Sequence, residues 1–428
     1  MPRCFPSVAF ACIMKLLRLS LTDFRNYSRL DVDVPGGPVL LVGSNAQGKT
    51  SVLEAVYYLA AFTSFHASHE RQLINLTAGR EPLAVGRILA DFHREKSAPS
   101  APIALAAGRN RMEVRLIQEV NGFDSTPRLR KEVLLDGVKC KIGEAIGAFN
   151  AVLFLPQMVS IVEGPPEERR RYLNLALSQT RPHYAAVLAE YHRILTQRNA
   201  LLKLLAERGG DSQAVSAQLE YWDEQLANYG AQIIQARIQA VHELERLASR
   251  IHRDLTRNQE VLRLDYQHSF DPLPERPQQL AMPLKDPVDR SELSLEFIQQ
   301  GFLGCLRKAR PEEIARGVTT SGQHRDELRL LSNRIDLGTY GSRGQARTAV
   351  LSLKLAEVAW IKEKTAQWPV LLLDEVLAEL DPDRRLDLLE RLLASEQILL
   401  TTTDLDLFPS GFVEKATTWN IQAGRILL

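Results

Sequence analysis

Two short motifs at opposite ends of a 428-residue chain carry residue types suited to nucleotide chemistry. Near the start, Gly43-Ser44-Asn45-Ala46-Gln47-Gly48-Lys49-Thr50-Ser51 has the spacing of a phosphate-gripping loop. Its glycines let backbone N–H groups turn toward phosphate, Lys49 can reach the β- and γ-phosphates, and the Thr50 hydroxyl can face Mg2+. Near the end, Asp374-Glu375 follows the apolar run Val370–Leu373. There Asp374 can hold the metal shell while Glu375 takes a proton from an attacking water. The expectation is one ATP and Mg2+ site built from both ends of the chain, with Lys49 and Glu375 as its catalytic pair and residues 43–51 as its cradle.

Such motifs work only on particular elements. Val39–Val42 is an apolar run of strand length and Lys49–Phe62 reads as a helix, so the glycine loop has the strand-to-helix setting that phosphate binding requires. Val370–Leu373 reads as a buried parallel strand, and the carboxyl ends of such strands open into ligand crevices. A third motif, Gly341-Ser342-Arg343-Gly344-Gln345, precedes an amphipathic run with Ala349, Leu353, Ala356 and Trp360 at steps of four, three and four. Ser342 and Gly344 thus stand at a helix N-terminus, where a hydroxyl and free N–H groups can hold an anion; in isolation the same pattern also suits a plain serine cap.

Together these residues resemble the ATP-binding-cassette superfamily and, within it, the RecF family. The resemblance runs through Leu21–Tyr27, Asn45–Ala55, Glu163–Arg170, Ser321–Leu328, Gly341–Thr348 and Leu373–Asp381, the block around His324-Arg325-Asp326 being the most family-specific. It implies an α/β fold: an ABC-type P-loop ATPase head, with a mixed and parallel sheet and flanking helices, carrying an inserted, mainly helical lever-arm lobe. It also implies that Ser342, with Gly344 and Gln345, contacts the γ-phosphate held by a second copy, giving an ATP-dependent homodimer with slow, DNA-stimulated turnover. The task implied is recombinational repair and replication in the cytoplasm within the SOS response. The protein would recognise gapped DNA or single-strand/double-strand junctions and, with RecO and RecR, promote RecA loading.

Three positions depart from the family pattern. Ser64-Phe65-His66-Ala67 lacks the arginine expected after the P-loop helix, with Arg71 a possible substitute. Gln157 in Leu155-Pro156-Gln157 is the candidate γ-phosphate and metal glutamine. The strand Gln397–Thr403 ends in threonines where many cassette ATPases carry a histidine, so Thr402 or Thr403 is expected to replace it.

Composition narrows the classes further. With 53 Lys plus Arg against 52 Asp plus Glu, the net charge of +1 excludes a chain coated in basic residues. Any nucleic-acid contact must come from a local patch that folding creates. Four scattered cysteines without a C-x-x-C pair suit reduced thiols, and nine histidines show no metal-ligand spacing. No apolar run approaches the roughly 20 residues of a membrane span, so no membrane role is expected.

The expected organisation is a head from residues 14–160 and 311–428, interrupted at 161–310 by a helical lobe with a proline-rich connector after Asp271. Residues 1–13 are expected to be a disordered extension, with patterned structure starting at Met14. Pro165-Pro166 with Glu167-Glu168 opens a helix. A heptad seam through Leu219, Trp222, Leu226, Tyr229 and Ile233 predicts packing against another helix. Two legs of about 40 residues would reach only about 60 Å. That length disfavours long-range DNA-organising relatives of the SMC/Rad50 type. The lobe, the wide interval between P-loop and Ser342, and the missing histidine likewise disfavour a transporter ATPase subunit. The serine motif would be purposeless in a small-molecule kinase. Arg169-Arg170-Arg171 reads either as a phosphate contact or as a solvated face paired with Glu167 and Glu168.

Overall fold

The computed structural model describes residues 14–95, 107–120, 128–207, 213–273 and 290–427. The extension expected at 1–13 and most of the proline-rich connector lie outside them, as do two stretches expected from their Pro, Gly and Ser content to be hairpin loops, 97–102 and 121–127, and the helix end expected at Gly209-Gly210. By compactness the chain forms two units. The first comprises Met1–Pro156, Gln179–Pro182 and Glu357–Leu428; the second comprises Gln157–Ser178 and His183–Ala356.

In the first unit β1 (Met14–Phe24) and β2 (Tyr27–Asp33) form a hairpin, and β3 (Gly37–Val42) leads through the glycine loop into α1 (Lys49–Ala61). The chain continues as β4 (Leu83–Arg94), β5 (Gly108–Glu119), β6 (Arg128–Leu135), β7 (Val138–Cys140) and β8 (Ala151–Phe154). Alternation dictates the first of its two sheets: Leu19, Leu21, Ile88, Ala90, Met112, Val114 and Val133 are buried, while the residues between them face outward. That sheet is antiparallel, in the order β2-β1-β4-β5-β6-β7.

The chain then enters the second unit with α2 (Pro166–Thr180), α3 (Tyr184–Glu207), α4 (Gln213–Leu255), β9 (Leu262–Gln267), α5 (Leu295–Arg316), β10 (Glu327–Ser332), β11 (Ile335–Asp336) and the start of α6 (Arg343–Thr365), which from Glu357 on belongs to the first unit. Residues 311–356 fall in this unit because β10 pairs antiparallel with β9 along its whole length. The predicted heptad seam is present on α4, with Leu219, Leu226 and Ile233 buried and Trp222 and Tyr229 half-buried. Instead of two equal legs, however, α4 with 43 residues packs on both α3 and α5, with 24 and 22.

A charge cluster with a fully buried centre joins these three helices. Arg198 of α3 meets Asp223 of α4 and Glu313 of α5, each at 2.7 Å, and Arg310 of α5 reaches Asp223 at 2.7 Å. The arginine run divides: Arg169 chelates Glu327 at 2.7 and 2.9 Å, Arg170 donates to the Asp326 carbonyl and also pairs with Glu167 at 2.8 Å as one of the two readings expected, and Arg171 is exposed. The His324–Asp326 block is interior too: His324 Nδ1 lies 2.8 Å from the Tyr191 hydroxyl, and Asp326 accepts from Tyr266 and the Ser269 amide.

The chain returns to the first unit with β12 (Val370–Asp374), α7 (Pro382–Leu392), β13 (Gln397–Thr402), β14 (Thr417–Gln422) and β15 (Arg425–Leu427). These strands complete a second sheet in the order β15-β14-β3-β13-β12-β8, parallel throughout except for β15. Its central strands are apolar along both faces, as burial between layers requires.

Candidate nucleotide-binding site

The strand order places the two motifs beside each other. β13 lies between β3 and β12, with Thr401 in register with Asp374 on one side and with Leu41 on the other. Across 324 residues of sequence the Thr50 hydroxyl donates to Asp374 Oδ1 at 2.9 Å, and Lys49 Nζ lies 3.4 Å from Glu375 Oε1.

The loop itself is constrained from beneath. Gly48, the N-cap of α1, has φ 112°, and a Cβ there would meet Asn26 Nδ2 at 2.5 Å. Gly43 is needed for closeness: a Cβ would stand 2.4 Å from the Ile421 carbonyl oxygen on β14. Asn26 donates to the Gln47 carbonyl at 3.0 Å, the Tyr27 hydroxyl to that of Gly48 at 3.1 Å, and the Ala423 amide to Gln47 Oε1 at 2.7 Å. Ser44, Asn45 and Ala46 are exposed at the rim, Ala46 with φ 63°, while Ser51 is half-buried in the first turn of α1. Left-handed residues beside right-handed ones turn successive N–H groups to one side, the concavity that anions occupy.

Lys49 is buried, and its ammonium donates to the carbonyls of Gly43 at 2.6 Å and Ser44 at 3.2 Å. It thus lies folded into the loop where phosphate oxygens would replace those carbonyls. No cluster of three or more His, Cys, Asp or Glu able to hold a metal occurs among the described residues. Thr50 and Asp374, 2.9 Å apart, are the loop hydroxyl and carboxylate that suit Mg2+, which is ordinarily held by one or two carboxylates together with phosphates and water.

Two residues at this site escaped the sequence reading. One is Thr401, directly before the expected Thr402 and Thr403: its hydroxyl donates to Asp374 Oδ1 at 2.7 Å and accepts from the Glu375 amide at 3.0 Å. Thr402 is spent on the Asp404 carbonyl and Thr403 is exposed. Glu375 takes φ 52°, an uncommon conformation for a residue with a side chain and one concentrated at functional sites. The other residue is His66, whose Nε2 stands 3.9 Å from Asp374 Oδ2; that carboxylate raises the imidazole pKa against the opposing effect of burial. The loop carrying His66 is anchored through Ser64 to Glu54, itself chelated by Arg25 at 2.6 and 2.7 Å. A histidine at the expected arginine position was the available signal. Arg71 lies in a 3-10 turn, Glu70–Leu73, of the same loop.

Ser342, Gly344 and Gln345 belong to the second unit. The helix start is as predicted: the Gln345 amide donates to Ser342 Oγ at 3.2 Å and the Ser342 amide to Gln345 Oε1 at 3.1 Å, a reciprocal cap. Ser342 and Gly344 are exposed, and Gln345 also donates to Glu260 at 3.1 Å. Gln157 is exposed as well, in the turn Pro156–Val159.

A phosphate loop and an acidic pair on one parallel sheet, beside an antiparallel sheet and a chain excursion into a helical unit, define a P-loop ATPase head of the RecF/RecN/SMC N-terminal-domain class, whose family model matches residues 15–418. The fold alone is shared with the Smc head of Pyrococcus furiosus, at TM-score 0.51 and 16% identity over 97% of this chain and 96% of that one. Closer similarity is found to RecF of Roseiflexus castenholzii, 37% identical, and of Chloroflexus aggregans, 38% identical, each over 96% of this chain and 99% of the relative. A RecF structure with ATP, described as the recombination mediator of the RecFOR pathway, superposes with TM-score 0.76 at 28% identity, covering 97% of this chain and 99% of that one. The chain belongs to the RecF family of DNA replication and repair proteins.

Proposed function

We propose that two copies of this chain close as a clamp on DNA when each binds ATP, and reopen when the ATP is hydrolysed. The observation carrying this reading is the convergence of Lys49, Thr50, Asp374 and Glu375 at one place on the parallel sheet. Lys49 and the N–H groups of residues 43–51 bind the phosphates, Thr50 and Asp374 hold the metal, and Glu375 accepts the proton of the attacking water. Bound Mg2+ would offset charge on the phosphates. Thr401 keeps Asp374 and the Glu375 backbone in place, and Gln157 completes the shell around metal and γ-phosphate. Ser342, Gly344 and Gln345 contribute from the second copy, the exposed helix start suiting that role.

Turnover is slow and stimulated by DNA. The biological task is recognition of gapped DNA or single-strand/double-strand junctions in the cytoplasm, where RecO and RecR join the clamp to help RecA displace single-strand-binding protein. The RecFOR description of the ATP-bound relative supports this placement, and none of the described helices is long and apolar enough to cross a membrane.

The test is light scattering of Glu375→Gln with and without ATP, followed by binding to duplex, single-stranded and gapped DNA. The variant should dimerise only with ATP and then hold DNA. Ser342→Arg should bind ATP yet stay monomeric. A protein that remains solitary with ATP bound overturns the proposal.

A further inference from the structure

The net charge of +1 conceals an uneven distribution. Strand registers place Arg29, Thr22, Arg87, Arg115 and Glu132 in one row across β2, β1, β4, β5 and β6. The next row reads Asp31, Ser20, Leu89, Glu113 and Leu134, and a third holds Asp33, Arg18, Asp91 and Arg111, with Arg18 paired to Asp31. These rows form the outward face of the antiparallel sheet, opposite the buried face of Leu19, Ile88, Met112 and Val114.

The charges on this face are layered. Asp91, Glu113 and Glu132 lie at its base, their side chains only 1%, 10% and 14% exposed. Two cations sit over each of them: Arg109 and Arg111 on Asp91, Arg87 and Arg115 on Glu113, Arg130 and Lys139 on Glu132. The cations are the exposed layer, from 37% for Arg87 to 64% for Lys139. Every triplet therefore carries one net positive charge, with the negative charge beneath. One cation neutralises each sunken carboxylate, so folding accounts for one member of each pair of cations and not for the second. What the pairing does is hold guanidiniums upright with N–H groups still facing solvent, ordered before any ligand arrives.

We propose that this face binds the phosphate backbone of duplex DNA without reading its sequence. The inference rests on the DNA-binding part of the proposed function and supplies the surface that composition could not reveal. Five strands at about 4.8 Å span roughly 19 Å, along which a duplex presents roughly 11 phosphates. The rows contain no Phe, Tyr or Trp on which unpaired bases could stack, which favours duplex over single strand. A flat sheet face also offers no helix or ribbon to enter a groove and read base edges.

The decisive variant is Arg29→Gln/Arg109→Gln/Arg130→Gln in the full chain, which leaves every carboxylate of the three triplets at least one cationic partner. Duplex affinity is read by fluorescence anisotropy across a salt series with ATP present, with a single strand of the same length as the second arm. For wild type, affinity should fall steeply with salt and favour duplex. The variant should bind at least tenfold more weakly at low salt, with a log–log slope shallower by roughly 2 to 3, since each lost phosphate contact removes about 0.9. ATP binding and ATP-dependent dimerisation should be unchanged. The lysine counterpart of the triple variant should keep the wild-type slope, because charge carries the effect. Should the triple glutamine variant melt early, Arg29→Gln alone, which touches no triplet, should lower the slope by about one. An unchanged slope in a wild type that binds duplex places the DNA surface elsewhere and leaves the clamp reading standing. A preference for single strand that the variant does not alter also overturns the assignment. A wild type that binds no DNA at all overturns both.

Discussion

Replacing Thr401 by Val removes one hydroxyl and little volume from the interior of the parallel sheet. That hydroxyl makes two hydrogen bonds, to a carboxylate at 2.7 Å and from a backbone amide at 3.0 Å. In the structure Asp374 Oδ1 is also held by Thr50. Once Thr50 turns to a metal, Thr401 becomes the remaining tie between β13 and the metal carboxylate, and it fixes the left-handed backbone of Glu375 as well. A hydrogen bond to a charged group contributes about 1.5–3 kcal/mol. If it is needed chiefly in the transition state, turnover should fall roughly 10- to 150-fold. ATP affinity should change by less than about threefold, because the phosphate cradle of residues 43–51 is untouched. Thr401→Ser should recover most of the rate. The assay is DNA-stimulated phosphate release alongside titration with a fluorescent ATP analogue. Wild-type turnover in the valine protein, or a loss confined to ATP binding, would refute the role given to this residue.

Gly43→Ala should weaken ATP binding by more than about tenfold in the same titration, because the new methyl would stand 2.4 Å from a backbone oxygen of β14 and the loop must shift. Arg198→Met should lower stability by about 3–5 kcal/mol in urea denaturation, since Glu313 is left buried without its cation. Burial pulls the His324 pKa down to about 4. Neutral in the folded state and protonated more readily when unfolded, it should contribute full stability above pH 6.5 and lose about 3 kcal/mol as pH falls from 6.5 through about 4. His324→Gln should flatten that part of the pH–stability curve measured by urea midpoint.

The convergence of the two motifs was legible where their chemistry is local. The glycine loop, Lys49 and Thr50 follow one another on a strand, turn and helix, and a buried run announces Asp374-Glu375. The contact of Thr401 with Asp374 was not legible because it depends on lateral register between β12 and β13, which a strand's own sequence does not encode. His66 depends on where an irregular loop folds back after α1. The arginine face was invisible for a related reason: its members sit at every second position of separate strands, each next to acids that cancel them in any sum along the chain. In the second unit, the α4 seam announced that a partner helix exists, but not that α3 and α5 both serve, because a period reports which stripe is apolar and not how many neighbours cover it. In the run Arg169–Arg171 the pairing of Arg170 with Glu167 was legible from its i,i+3 spacing, whereas that of Arg169 was not, because Glu327 is 158 residues away in sequence.

The interleaving of β3 between β13 and β14 bears on biosynthesis. A ribosome adding about 5–20 residues per second releases Thr50 roughly 16–65 s before Asp374, its partner 324 residues later. The hairpin sheet can assemble early from neighbouring segments, whereas the apolar β3 waits with both edges open for strands made last. Nascent chains therefore pass through an interval in which a sticky, catalytically inert half is shielded only by its own first sheet or by chaperones, and any message cut short before β13 yields a product unable to turn over nucleotide.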